Sequence, residues 1–153
     1  LSLRRQRQMC IRDRMYIMQK INQGILNTLF KVAAANPTQS EKMAAAIVYR
    51  NRVVSIGMNS MKSHPLAAKF SKNEHAIFLH AEIAAIKNAL REVEVDDLSK
   101  CDIYIARVKK EKPFTKKYVY GLAKPCAGCE RAIAEFGLKR VVYTCDDGNH
   151  EVM

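Results

Sequence analysis

Between residues 17 and 35, apolar side chains fall at positions 17, 21, 25, 29 and 32, with Leu26 and Phe30 beside them, the three-to-four spacing of a helix with one buried face. Asn36-Pro37 ends it, because a proline ring cannot continue a helix and pushes the residue before it out of the α region. Two apolar runs, 43–49 and 52–58, flank Arg50-Asn51 and predict a β-hairpin. A polar, lysine-bearing loop over 60–74 contains His64-Pro65. It leads to a second helix predicted over 76–90, where Phe78, Leu79, Ile83, Ile86 and Leu90 are apolar. An acidic link at 92–97 precedes 102–108, which alternates as a strand does. Positions 109–117 hold five lysines and one glutamate around Pro113 and predict an exposed loop or hairpin tip. The segment 118–122 is then either a return strand or a continuation of the strand before it. Pro125 suits the first turn of a third helix that runs to Phe136, Gly137 suits its C-cap, and 138–144 predicts the last strand. The order α-β-β-α-β-α-β predicts a layered α/β domain, with helices on both faces of a mixed sheet of four to five strands. No internal repeat or low-complexity segment interrupts it.

Two short motifs lie at the starts of the second and third helices. His80-Ala81-Glu82 offers an imidazole and a carboxylate, and Pro125-Cys126-Ala127-Gly128-Cys129 offers two thiols. Zinc takes four nitrogen or sulfur ligands in a structural site. A catalytic site uses three and leaves the fourth position to water, whose pKa falls from about 15.7 to near 7. His80, Cys126 and Cys129 fit the three-ligand set. Glu82, not needed as a ligand, fits a group that takes a proton from water and hands it to a substrate nitrogen. Free N–H groups at a helix start carry partial positive charge, which suits hydroxide, carboxylate and thiolate alike. The rival reading is a closed structural zinc site, for which Cys101, Cys145, His75 and His150 are the available fourth ligands. Taken singly, Cys101 and Cys145 read as small buried hydrophobes, and His64 and His75 as solvated loop histidines.

The pair H-x-E and P-C-x-x-C resembles the signature of the zinc-dependent cytidine/deoxycytidylate deaminase superfamily, over most of residues 19–145. The resemblance implies the three-layer cytidine deaminase-like α/β fold, a Zn2+ ion held by His80, Cys126 and Cys129, and Glu82 as the proton shuttle. It also implies that the backbone N–H of Ala81 meets the base carbonyl. Gly57-Met58-Asn59 looks like the family's G-x-N, which implies that the Asn59 side chain meets the sugar. The implied reaction is hydrolytic deamination of the cytosine of a free nucleoside or nucleotide, dCMP-like, giving uracil and ammonia. Two alternatives stay open: a base in RNA or single-stranded DNA, as in tRNA-adenosine deaminases, and a non-catalytic structural zinc module. A homo-oligomer is implied as well, since deaminases of this type often complete their sites across subunits. The sequence departs from the family pattern twice. Leu122-Ala123-Lys124 precedes Pro125 where the family commonly has T-x-E, and the chain stops nine residues after Thr144, where relatives commonly add a strand and a helix.

At 153 residues the chain is one domain by length, and its 48% hydrophobic content supports an ordinary core. No apolar run approaches the roughly 18 residues of a membrane span, so no membrane partner is expected. Five cysteines, an odd number with two in C-x-x-C, point away from a disulfide framework and toward a reducing compartment, hence a cytoplasmic location. Residues 1–14 include Arg4-Arg5-Gln6-Arg7-Gln8-Met9-Cys10-Ile11-Arg12-Asp13, without apolar periodicity, and are read as a non-native, adapter-derived extension. A basic arm that binds nucleic acid is the alternative. With 1–14 set aside, 15–153 is a single zinc deaminase domain, either compact or cut short at its C-terminus. Without the five arginines and one aspartate of 1–14, the net charge falls from +11 to +7. That balance still favours phosphorylated small molecules or polyanions. The lack of tryptophan leaves few stacking platforms for an extended single strand, which makes nucleic acid the less favoured partner.

Overall fold

Asn22 decides where the first helix begins. In the computed structural model, which describes residues 21–37, 41–70 and 78–153, α1 spans Gln23–Ala34. The Asn22 side chain accepts a hydrogen bond from the Ile25 N–H at 3.3 Å, satisfying one of the donors that a helix start leaves unpaired. The expected start at 17 lies outside the described residues, and 21–22 are not helical. β1 (Lys42–Tyr49) and β2 (Arg52–Met58) form the expected hairpin. Its two-residue turn places Arg50 (φ 47°) and Asn51 (φ 62°) in the left-handed region, where the turn's twist matches that of the strands.

The stretch expected to be a loop contains regular structure. β3 (Ser60–Ser63) and α2 (Pro65–Lys69) lie in it, and β3 pairs with β4 (Phe78–Leu79) as a small antiparallel sheet. That pairing takes Phe78 and Leu79 out of the second helix, so α3 is Ala81–Ala89, shorter than the expected 76–90. Apolar spacing does not separate the two, because Leu79 is buried as a helix-face residue would be. A 3-10 turn, Val95–Lys100, occupies the acidic link. β5 (Asp102–Lys110) is followed by β6 (Tyr118–Gly121), which returns antiparallel to it and so settles the return-strand alternative. Pro125 sits just before Cys126, the N-cap of α4 (Ala127–Glu135), and not in the helix's first turn. Gly137, at φ 71°, ends that helix as expected. β7 (Arg140–Thr144) runs parallel to β5, and β8 (His150–Val152), which the sequence pattern did not predict, folds back antiparallel on β7.

The main sheet has the order β2-β1-β5-β7-β8, with β6 beside the far half of β5, six strands where four to five were expected. Strand residues alternate between two cores. Ala45, Ile47, Ile103, Ile105, Val141 and Tyr143 pack with α3 and α4, whereas Ala44, Ala46, Val48, Tyr104, Ala106 and Val142 pack with α1. The layers are therefore α1, the sheet, and α3 with α4. Coverage on both faces is why β1 reads as an unbroken apolar run. α3 lies tightly on β2: a Cβ on Gly57 would come within 2.6 Å of the Ala84 carbonyl carbon and 2.7 Å of the Ala84 Cβ. The Ser55 hydroxyl donates to the Ala85 carbonyl at 2.7 Å, and the Asn88 amide donates to the Ile56 carbonyl at 2.9 Å. These ties fix the helix that carries the first motif. Among the described residues no helix is long and apolar enough to cross a membrane.

Candidate metal centre

His80 and Cys126 hold equivalent places. Each is the N-cap of its helix, with extended backbone at φ −78°, ψ 155° and φ −70°, ψ 168° respectively. Cys129 follows in the first turn of α4 and is buried. The structure brings these three expected ligands together: His80 Nδ1 lies 3.6 Å from Cys126 Sγ and 3.3 Å from Cys129 Sγ, and the three donor atoms lie within 4.8 Å of one another. A tetrahedral zinc with Zn–N near 2.0 Å and Zn–S near 2.3 Å requires N···S separations of about 3.5 Å. The donor set fits the ion, with Nδ1 as the nitrogen aimed at the sulfurs.

Charge is distributed unevenly over the group. The Cys126 thiol is pushed down to about 3, first by its hydrogen bond with Cys129 and then by that with His80. Cys129 is pushed up by its bond to Cys126, and burial and the Glu82 carboxylate act in the same direction. A cation held among these donors favours the thiolate form of both sulfurs. His80 is pushed up, chiefly by its bond with Cys126 and against the effect of burial. Glu82 is 2% exposed, and burial pushes its carboxyl up. Its Oε2 accepts from Cys129 Sγ at 3.4 Å, and among the described residues no lysine or arginine pairs with it. Burial opposes ionisation of this carboxyl, and the neighbouring His80 favours it.

The cysteine helix is locked from two sides. A Cβ on Gly128 would overlap the Phe70 carbonyl oxygen at the end of α2, and Arg131 Nη2 donates to the same oxygen at 2.9 Å. Upstream, the Ala123 N–H donates to the Thr144 carbonyl at 2.9 Å. Sequence reasoning missed Gly128, Arg131, Ser55 and Asn88 as positioning residues. The one available signal was a glycine between two ligands.

None of the other candidate ligands within the described residues joins the cluster. Cys101 is buried and donates to the Asp97 carbonyl at 3.4 Å, Cys145 is half-buried beyond β7, and His150 is exposed on β8. His64 caps α2, its Nδ1 accepting from the Leu66 N–H at 3.1 Å, and His75 lies outside the described residues. Asn59 follows β2, next to Ser60, whose partner across the β3–β4 pair is Leu79, the neighbour of His80. Its side chain is bonded within the chain: Oδ1 accepts from Asn36 Nδ2 at 2.8 Å and from the Met43 N–H at 3.0 Å, and Nδ2 donates to the Glu41 carbonyl. Ala81 is fully buried at the start of α3, and Lys124 is exposed.

A carboxyl kept beside the metal donors but outside their set separates a hydrolytic centre from a structural one. Here Glu82 lies beside His80, Cys126 and Cys129 without belonging to their set. Residues 19–145 match the family described as the cytidine and deoxycytidylate deaminase zinc-binding region, and the chain belongs to that family. Its fold is similar to that of the dCMP deaminase from the cyanophage S-TIM5 in complex with dCMP and dUMP, with a TM-score of 0.55 and 18% identity over 80% of this chain and 79% of that one. It is also similar to a cytidine deaminase from Burkholderia pseudomallei, with a TM-score of 0.58 and 18% identity over 88% and 92% of the two chains. A tRNA-specific adenosine deaminase from Rickettsia bellii (strain RML369-C) is 37% identical over 71 residues, which is 46% of this chain. The matched stretch spans 38% of that relative's length.

Proposed function

We propose that this protein deaminates the cytosine of a free nucleoside or nucleotide, in the manner of a deoxycytidylate deaminase, giving uracil and ammonia. The observation that carries the proposal is Glu82, a carboxyl 2% exposed and 3.4 Å from Cys129 Sγ, in the same helix start that follows His80. In this reading His80 Nδ1, Cys126 Sγ and Cys129 Sγ hold Zn2+, which when bound is a Lewis acid that makes hydroxide available at neutral pH. The chain's own work is proton movement and placement. Glu82, ionised, accepts a proton from water and delivers it to N3 of the base. A second proton passes through the same carboxylate to the departing amino group, so C4 gains an oxygen and loses ammonia. Burial keeps bulk water from the carboxylate, so its proton goes to the base and not to solvent. The Ala81 N–H, in the first turn of α3, meets the base carbonyl. Asn59 faces the sugar with its side-chain amide. A basic chain suits a phosphorylated substrate.

The 37% identity over 71 residues to a tRNA-specific adenosine deaminase favours a second reading, deamination of adenosine within RNA. Zinc-loaded protein assayed for ammonia release with cytidine, dCMP, dCTP, adenosine and a tRNA separates the two. Release from a free cytosine compound supports the first, release from tRNA alone replaces it with the second, and no release from any of them overturns both. The assembly expected is a homo-oligomer, and a monomer in light scattering ends that expectation. An odd number of cysteines, two of them in C-x-x-C, supports a cytoplasmic setting.

A further inference from the structure

The tip between β5 and β6 serves neither core nor the metal centre. The Glu111 N–H donates to the Lys117 carbonyl at 3.0 Å and the Thr115 N–H to the Lys112 carbonyl at 3.2 Å, closing a tight turn with Pro113 and Phe114 at its centre. The Thr115 hydroxyl adds a bond to the Lys112 carbonyl at 3.1 Å, and the proline ring fixes one of the turn's dihedrals. At this braced apex Phe114 is wholly exposed, at 101% of its reference area. Lys109 pairs with Asp146 and Lys117 with Glu111, but among the described residues no carboxylate pairs with Lys110, Lys112 or Lys116. The tip projects from the end of the sheet that holds the metal centre. β7 leaves its pairing with β5 at Ile105, β6 takes over at Arg107, and Gly121 leads through 122–125 to Cys126.

A braced aromatic ring among cations without partners matches a polyanion that also presents flat aromatic faces. We propose that this tip is a contact site for single-stranded nucleic acid, with Phe114 stacking on a base and Lys110, Lys112 and Lys116 meeting the flanking phosphates. Charge commits the tip to a polyanion, and the ring commits it to one with exposed bases. An anionic lipid surface supplies the charge but calls for more than a single apolar anchor. At the hairpin's base Tyr118 and Tyr120 share a groove with Glu111, Asp146 and Asp147, and these carboxylates confine a phosphate path to the tip. The site goes beyond the deaminase reading and does not depend on it.

Fluorescence anisotropy of a labelled, mixed-sequence single strand of about 15 nucleotides, titrated with zinc-loaded full-length protein between about 50 and 200 mM salt, tests the proposal. Binding that weakens with salt is expected. F114A is expected to bind roughly 5- to 100-fold more weakly, and K110Q/K112Q/K116Q to lose about two from the slope of log affinity against log salt, at about 0.7 per phosphate contact. The variants also separate the tip from the arginines of 1–14. Ammonia release from free dCMP is expected to be the same in wild type and both variants, so loss of the deaminase reading and loss of this site appear in different assays. Absence of salt-dependent binding by the wild type, or wild-type binding by either variant, overturns the proposal. Phe114-dependent binding to phosphatidylserine vesicles without binding to the strand overturns it too.

Discussion

Replacing Glu82 with glutamine keeps the shape of the side chain and removes its ability to carry a proton. Ammonia release is expected to fall by about 100- to 10,000-fold, with zinc content by metal analysis unchanged; a zinc-loaded variant with full activity would remove Glu82 from the reaction. Gly57→Ala acts at a distance, because the added methyl group meets the backbone of α3 and the helix that begins beyond His80 has to shift. Chemical unfolding should show a loss of about 1–3 kcal/mol, accompanied by weaker retention of zinc. Unchanged stability would mean that β2 and α3 yield more easily than their contact implies. His80, Cys126 and Cys129 were legible in the sequence as a metal-holding set because metal chemistry demands those residue types, and Glu82 was legible as the carboxyl beside them. Gly128 and Arg131 were not, since their shared partner is a backbone oxygen of Phe70 from a distant segment. Asn59 was legible as one element of a motif, but its bonds to Asn36, Met43 and Glu41 were not.

Helices and strands with a full period of buried positions were readable: α1, the β1–β2 hairpin, β5, α4 and β7. β3, α2, β4 and β8 were not, because each is too short to show a period and the three strands exist only through pairing with another strand. β8 is held to β7 in part by the Tyr143 hydroxyl, which donates to Glu151 Oε2 at 2.6 Å. That bond, with burial and the Glu151 charge, pushes the Tyr143 phenol up to about 12. The folded value is raised above an unfolded value of about 10. The neutral phenol therefore contributes stability that is complete below about pH 10 and is lost as pH rises through about 12. In an alkaline spectrophotometric titration this tyrosine should ionise near 12, and E151Q should bring it down. An identical profile in E151Q would show that the β7–β8 pair does not rest on that bond.

Across the whole molecule, zinc would tie together two segments distant in the chain, His80 ahead of α3 and Cys126 and Cys129 at α4. An ion that binds only the folded protein stabilises it by about 2.7 kcal/mol at 100 times its dissociation constant. Chelation should therefore lower the melting temperature and added zinc restore it; no shift in calorimetry would mean that the native protein does not hold the ion. The layered architecture was legible because β1 and β5 are apolar on both faces. The strand order was not, because alternation names a strand's faces and not its neighbours. Within that order, Lys109 and Lys110 pair with β6 alone, while β1 is engaged up to Val108. Residues gained or lost beyond Val108 lengthen or shorten a two-stranded ribbon and leave every other pairing in place. The interval between β5 and the Cys126–Cys129 pair is thus where a new surface can be grafted beside an unchanged metal centre, with selection free to act on the graft alone.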